Sequence, residues 1–360
     1  MSDIAFNVPI NGVSFGQTSI NILREIRNRG LEPFIFPIGG SLDLGCEPDG
    51  EELQEWLVPL LKNSGKKYNK DIPIIKLWHL NGGLESFGRK QALITFYELD
   101  SPTEEELNIA RNQDKLIFSS KYTCEVFEKA GVKCHFIPLG FDANNFQDTG
   151  KKYFNDGRIT FNLCGKFEKR KHHVKIIKAW LKEFGDNNKY FLQCSLYNNF
   201  LKQEVNNSLV MNALEGQRHS NISFLNYMEK NSTYNDYLNS SSIIIGMSGG
   251  EGWGLPEFHS VGLGKHAVIL NAHGYKSWAD EKNSVLVEPS GKIDVYDDMF
   301  FKQGQAFNQG QIFDWKEEDF IKGCYEAIER VKTSPVNEEG KMLQKTFSYE
   351  GMTDKLLNLF

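Results

Sequence analysis

The chain has 360 residues, 40% of them hydrophobic and 24% charged, with a formal net charge of −6. That length exceeds one ordinary core and predicts two domains, while the acidic balance argues against broad attraction to nucleic acid or anionic lipid. No apolar run approaches the roughly 18 to 20 residues that span a bilayer, and Met1-Ser2-Asp3-Ile4 lacks a basic-then-apolar leader, so a cytosolic protein is expected, with a membrane-peripheral location left open. The six cysteines (Cys46, Cys124, Cys134, Cys164, Cys194, Cys324) show no metal-ligand or redox spacing, which predicts reduced thiols and neither zinc nor a disulfide framework.

In chain order, a short apolar run at 4–8 predicts a strand, 20–29 a helix and 33–37 a second strand. Helices over 51–61, 103–111 and 121–129 then alternate with strands over 72–77, 92–96, 115–118 and 134–137. A Gly/Asn/Asp-rich stretch, 140–157, reads as a linker. The alternation restarts: strands at 159–163, 191–195, 222–225 and 243–247, helices at 174–183 and 234–238, then strands at 267–270 and 285–287 and a helix over 317–331. The tail, 347–360, reads as a last helix. Alternating strands and helices predict an α/β protein with two parallel sheets, each wrapped by helices, and a ligand at the C-terminal ends of the strands.

The most informative stretch follows the strand at 243–247. Gly250-Glu251-Gly252-Trp253-Gly254-Leu255-Pro256 sets a carboxylate in a glycine-rich turn before a helix start, where backbone approaches a ligand closely and free N–H groups favour negative charge. With His259-Ser260-Val261-Gly262-Leu263-Gly264 it resembles the C-terminal signature of the retaining, nucleotide-sugar-dependent glycosyltransferases of group 1, Glu-Gly-x-Gly-Leu-Pro followed by Glu-Ala-x-Ala-x-Gly. Aligned without gaps, Glu251 takes the first glutamate position and His259 the second; a shifted alignment puts Glu257 there instead.

The resemblance implies a GT-B fold, two Rossmann-like domains facing across a cleft: 1–148 on the acceptor side, 149–338 for the donor, and 339–360 as a helix crossing back. It also extends to three further regions. Gly165-Lys166-Phe167-Glu168-Lys169-Arg170-Lys171 is similar to the family's Gly-Arg-x-x-x-x-Lys, placing Lys166 and Lys171 on the donor diphosphate. Gly12 and Gly16 lie where the family has a loop near the diphosphate. Tyr97-Glu98-Leu99-Asp100 occupies the neighbourhood where many relatives carry a histidine, making Glu98 a candidate toward the acceptor hydroxyl, with His79, Tyr97 and Asp100 as further acceptor-side candidates.

Glu251 would then hold donor-sugar hydroxyls, with Gly252, Trp253, Gly254 and Leu255 lining the donor and His259 on the ribose. The implied activity is transfer of a sugar from a nucleoside diphosphate-sugar to a hydroxyl, with retention of configuration and without metal or resident cofactor. An epimerase of the same architecture or a non-catalytic sugar-nucleotide-binding protein are the rival readings. The acceptor stays open among glycan, lipid-linked saccharide, small molecule, protein and modified nucleic-acid base.

Overall fold

The computed structural model describes residues 4–40 and 42–360. Its first half alternates β1 (Ala5–Pro9), α1 (Ser14–Asn28), β2 (Phe34–Ile38), α2 (Gly50–Lys67), β3 (Ile74–Leu77), β4 (Gln91–Thr95), α3 (Glu104–Arg111), β5 (Lys115–Phe118), α4 (Lys121–Lys129) and β6 (His135–Phe136). These strands form one parallel sheet in the order β2-β1-β3-β4-β5-β6. Helices cover a parallel sheet on both faces, which is why β1, β3 and β4 are buried along their whole length instead of alternating in and out. Thr103 starts α3 through a capping box, its side chain accepting from the Glu106 N–H while Glu106 accepts from the Thr103 N–H.

The second half contains β7 (Ile159–Gly165), α5 (His173–Phe184), β8 (Tyr190–Leu196), α6 (Gln203–Ala213), β9 (Ile222–Phe224), α7 (Asn231–Asn239), β10 (Ile243–Gly246), α8 (Leu255–Gly262), β11 (His266–Leu270) and β12 (Val285–Val287). Its parallel sheet runs β12-β11-β10-β7-β8-β9. Strand order therefore reverses between β1 and β3 in the first sheet and between β7 and β10 in the second. Crevices open at such reversals, beyond the strand C-terminal ends.

A segment that the sequence reading left without structure follows β12. Residues 288–316 form an antiparallel hairpin, β13 (Gly291–Asp294) with β14 (Gln311–Asp314), whose connecting loop crosses to the first sheet. Val295, Phe301 and Ile312 are buried in one cluster with Leu80, Leu93, Leu99 and Phe118. Asp100 accepts from the Lys292 ammonium (2.7 Å) and the Gln311 N–H (2.8 Å), and Glu106 accepts from the Asn308 N–H (2.8 Å). This strap thus docks one half of the chain onto the other.

Beyond α9 (Glu317–Thr333), the short α10 (Glu338–Lys341) and α11 (Leu343–Thr346) lead to α12 (Tyr349–Leu357), capped by Ser348. The Phe141 N–H donates to Phe347 O (2.7 Å), and Arg29, immediately after α1, pairs with Asp354 at 2.5 Å, so the terminal helix lies on the first half. No helix among the described residues is long and apolar enough to cross a membrane.

Candidate functional site

The two crevices meet at one charged cluster. After β7 the chain passes through Gly165 at φ 127°, a left-handed conformation that glycine adopts without strain, and a Cβ there would crowd the Lys171 stem at 3.2 Å. A single 3-10 turn, Lys169–Lys171, then aims Arg170 and Lys171 at the loop after β10. The Lys171 ammonium pairs with the Glu251 carboxylate, and Arg170 lies 3.3 Å from the same Oε1 while donating to Gly250 O and, at 3.1 Å, to Glu168 Oε2. Burial alone would raise the Glu251 pKa; Lys171 and Arg170 overcome it and hold the carboxyl well below its usual range.

His273 fixes the backbone of this turn. Its Nδ1 accepts from the Glu251 N–H (3.0 Å) and the Gly274 N–H (2.8 Å), so the proton sits on Nε2, which donates to Ser248 O (2.7 Å). Burial lowers its pKa to about 4, keeping the ring neutral as this pattern demands. One turn into α8, the carboxyl of Glu257 is buried beneath the cluster, and its Oε2 has no hydrogen-bond partner among the described residues. Burial and then the neighbouring Glu251 charge push its pKa up to about 7, against the pull of Lys171.

The first half supplies the opposite wall. The Glu98 carbonyl lies against Gly250, where a Cβ would come within 2.5 Å of it, and Phe96 lies against Gly252 with 2.8 Å to the corresponding position. Glycine at 250 and 252 is therefore what lets the two walls touch. Ser119 Oγ donates to Gly252 O (3.1 Å), and the Lys121 N–H donates to Ser277 Oγ (3.1 Å). The Glu98 carboxylate acts electrostatically on both His79 and Arg170, placing it between the two walls. His79 is exposed at the cleft; desolvation and the Lys166 charge lower its pKa while Glu98 opposes them.

The structure brings Glu98, His79, Lys166, Lys171, Glu251 and Gly252 together, and it corrects several other expectations. Lys166 is half-exposed, 3.0 Å from Glu168, with its ammonium over the Phe200 ring. The Trp253 ring goes into the core against Phe258 and Phe347, which leaves its backbone and not its side chain to the turn. His259, expected at a ribose, stacks on Phe146 (4.2 Å) and packs against Phe141; its Nε2 finds no acceptor or donor and burial lowers its pKa to about 3. Glu257, the alternative, stands at the charged cluster instead.

Tyr97 is likewise buried, donating its hydroxyl to Glu106 (3.1 Å), and Asp100 is engaged by the strap, so neither faces an acceptor. Gly16 is packed directly on Asn11, and Gly12 lies near Cys46 Sγ. Gly254, at φ 85°, has no room for a Cβ beside the Tyr275 ring, and Leu255 begins α8. Arg170, Glu168 and His273 escaped the sequence reading. Arg170 and Glu168 stand inside the basic run already singled out, and His273 follows the C-terminal end of β11, a position that itself signals a site.

No protein-family model matches the chain, and no curated protein does. Solved structures do. Sucrose-phosphate synthase from Thermosynechococcus elongatus is 14% identical with a TM-score of 0.67, covering 100% of this chain and 98% of its own. Anabaena Alr3699/HepE, solved in complex with UDP and glucose, is 14% identical with a TM-score of 0.68, covering 98% of each chain. The α,α-trehalose 6-phosphate synthase of Burkholderia multivorans is 12% identical with a TM-score of 0.63, over 99% of this chain and 98% of its own. The two facing parallel sheets are the GT-B fold.

Proposed function

We propose that this chain moves a sugar from a nucleoside diphosphate-sugar to an acceptor hydroxyl. The observation that carries the reading is the convergence, where strand order reverses in both sheets, of the Lys171–Glu251 pair on one wall and Glu98 on the other. Transfer breaks the bond between the anomeric carbon and the diphosphate oxygen, so negative charge grows on the leaving group and must be met by fixed positive charge. Lys171, with Lys166 at the cleft edge, is suited to that part; Arg170 is held by Gly250 O, Glu168 and Glu251 through its two terminal nitrogens and acts by positioning Glu251 and the Gly250 carbonyl.

Donor binding in this scheme exchanges partners. The diphosphate takes the Lys171 ammonium, and the Glu251 carboxylate so released accepts hydroxyls of the donor sugar. Glu98 orients the acceptor hydroxyl. The new bond forms between its oxygen and the anomeric carbon on the face that the diphosphate leaves, and the proton passes to the departing phosphate oxygen, so configuration is retained. The lysine charges serve where a metal otherwise would, which makes metal independence part of the proposal. The HepE complex with UDP-glucose supports screening uridine nucleotides first.

The test is donor-panel turnover with the whole chain: nucleoside diphosphate released only when acceptor is present, by wild type and not by Lys171→Ala, is the expected result. Losing one charge-assisted contact to the leaving group costs on the order of 2 to 4 kcal/mol in the barrier. Release without any acceptor product, tight binding without turnover, or activity abolished by chelator and restored by magnesium would each overturn a stated part of this scheme.

A further inference from the structure

Four rings from three elements meet on the first-half wall, and the transfer scheme uses none of them. Phe15 opens α1, Trp78 and His79 follow β3, and Phe96 follows β4. The Phe15 centroid lies 4.4 Å from that of His79, 4.7 Å from Phe96 and 6.0 Å from Trp78. This is not a closed core, since Phe15, Trp78 and Phe96 are half-buried and His79 is exposed. Polar groups rim the rings: the Trp78 indole N–H, both His79 nitrogens and the Glu98 carboxylate have no hydrogen-bond partner among the described residues. The cluster also touches the reacting side, through Phe96 against Gly252 and through the Lys166 charge felt at His79.

We infer that this platform seats the acceptor and that the acceptor is a pyranoside. A pyranose ring presents a C–H face, which packs on aromatic rings, and a rim of hydroxyls, which both donate and accept. Glu98 and His79 accept from that rim and the Trp78 N–H donates to it, so one ligand satisfies every feature at once. An alkyl or polyprenyl chain would cover the rings while stripping water from three polar groups it cannot pair, which is unfavourable. The inference rests on the transferase reading, to which it adds a substrate class.

The experiment titrates methyl glycopyranosides of glucose, galactose, mannose and N-acetylglucosamine into the whole chain with UDP present, followed by saturation-transfer NMR and tryptophan emission. A micellar polyprenyl phosphate is the contrasting probe. At least one pyranoside is expected to bind, about tenfold more weakly to Phe15→Leu and to Trp78→Leu, with Trp78→Phe recovering part of the loss and UDP affinity unchanged throughout. The two leucine variants are independent, and UDP binding reports that each is folded. Binding of no pyranoside, equal binding by both leucine variants, or binding of the polyprenyl probe in their place would overturn the inference. Failure of the wild type to bind any nucleoside diphosphate strikes the transferase reading instead, so the two failures are distinguishable.

Discussion

Replacing Glu257 by glutamine should make the protein more stable at pH 8 and leave it unchanged near pH 4.5. Glu257 ionises at 4.5 in the unfolded chain, but in the folded state burial and Glu251 push it up to about 7. The folded state therefore binds the extra proton across that window. Stability associated with this group is full below pH 4.5, falls as pH rises through about 7, and stays lost above it. A shift of this size at roughly 1.4 kcal/mol per pH unit corresponds to about 3 kcal/mol. Glutamine keeps the shape and cannot ionise, so the variant escapes the loss. The depressed pKa of Glu251 contributes in the opposite sense, its stability being lost as pH falls below about 4.5, so Glu251 stays ionised in the folded state across the pH range compared. Urea unfolding of wild type and Glu257→Gln at pH 4.5, 6, 7 and 8 reads that difference directly. A gap that does not change with pH, or a variant less stable than wild type at pH 8, would refute the reasoning that Glu257 is a buried, charge-penalised acid.

Substitutions at three further positions of the second half extend the test. Glu251→Gln should reduce turnover on the order of a hundredfold while nucleoside diphosphate affinity holds or rises, because Lys171 is freed from its pair; steady-state kinetics and calorimetry check this, and near-normal turnover refutes it. His259→Glu should lower stability by about 3 kcal/mol or more, since it buries a carboxylate between Phe146 and Phe141, whereas His259→Phe should melt close to wild type. A His259→Glu variant of native stability with improved donor affinity would restore the ribose role. His273→Ala leaves the Glu251 and Gly274 N–H groups without their acceptor, at about 1 to 3 kcal/mol each; urea unfolding at pH 7 measures the loss.

The fold was legible because both sheets are parallel and buried: runs such as Ile243-Ile244-Ile245 have no polar alternation to mistake for an edge strand. Lys171 and Glu251 were legible because loops at strand C-terminal ends announce themselves by glycine and charge. The failures share a different cause. Whether a histidine at 259 faces a ligand or a pair of phenylalanines depends on Phe141 and Phe146, more than a hundred positions away in the chain, and nothing local encodes that packing. Tyr97 and Asp100 sit beside Glu98 in sequence, yet one turns into the core toward Glu106 and the other is claimed by Lys292. The strap itself was missed because two four-residue strands carry too little periodicity to register.

That strap bears on how the molecule can be taken apart. A linker near residue 148 invites the view that each half could be made on its own, but Val295, Phe301 and Ile312 complete an apolar cluster whose other members lie in the first half. Cutting the chain there would strip cover from Leu80, Leu93 and Leu99 and leave a contiguous greasy surface on the severed fragment, the kind that drives self-association. Asp100 would lose Lys292 and the Gln311 N–H, and Glu106 the Asn308 N–H, in the same stroke. The unit of folding is thus set by where the chain returns, and the amino-terminal fragment is expected to precipitate unless residues 288–316 are supplied with it.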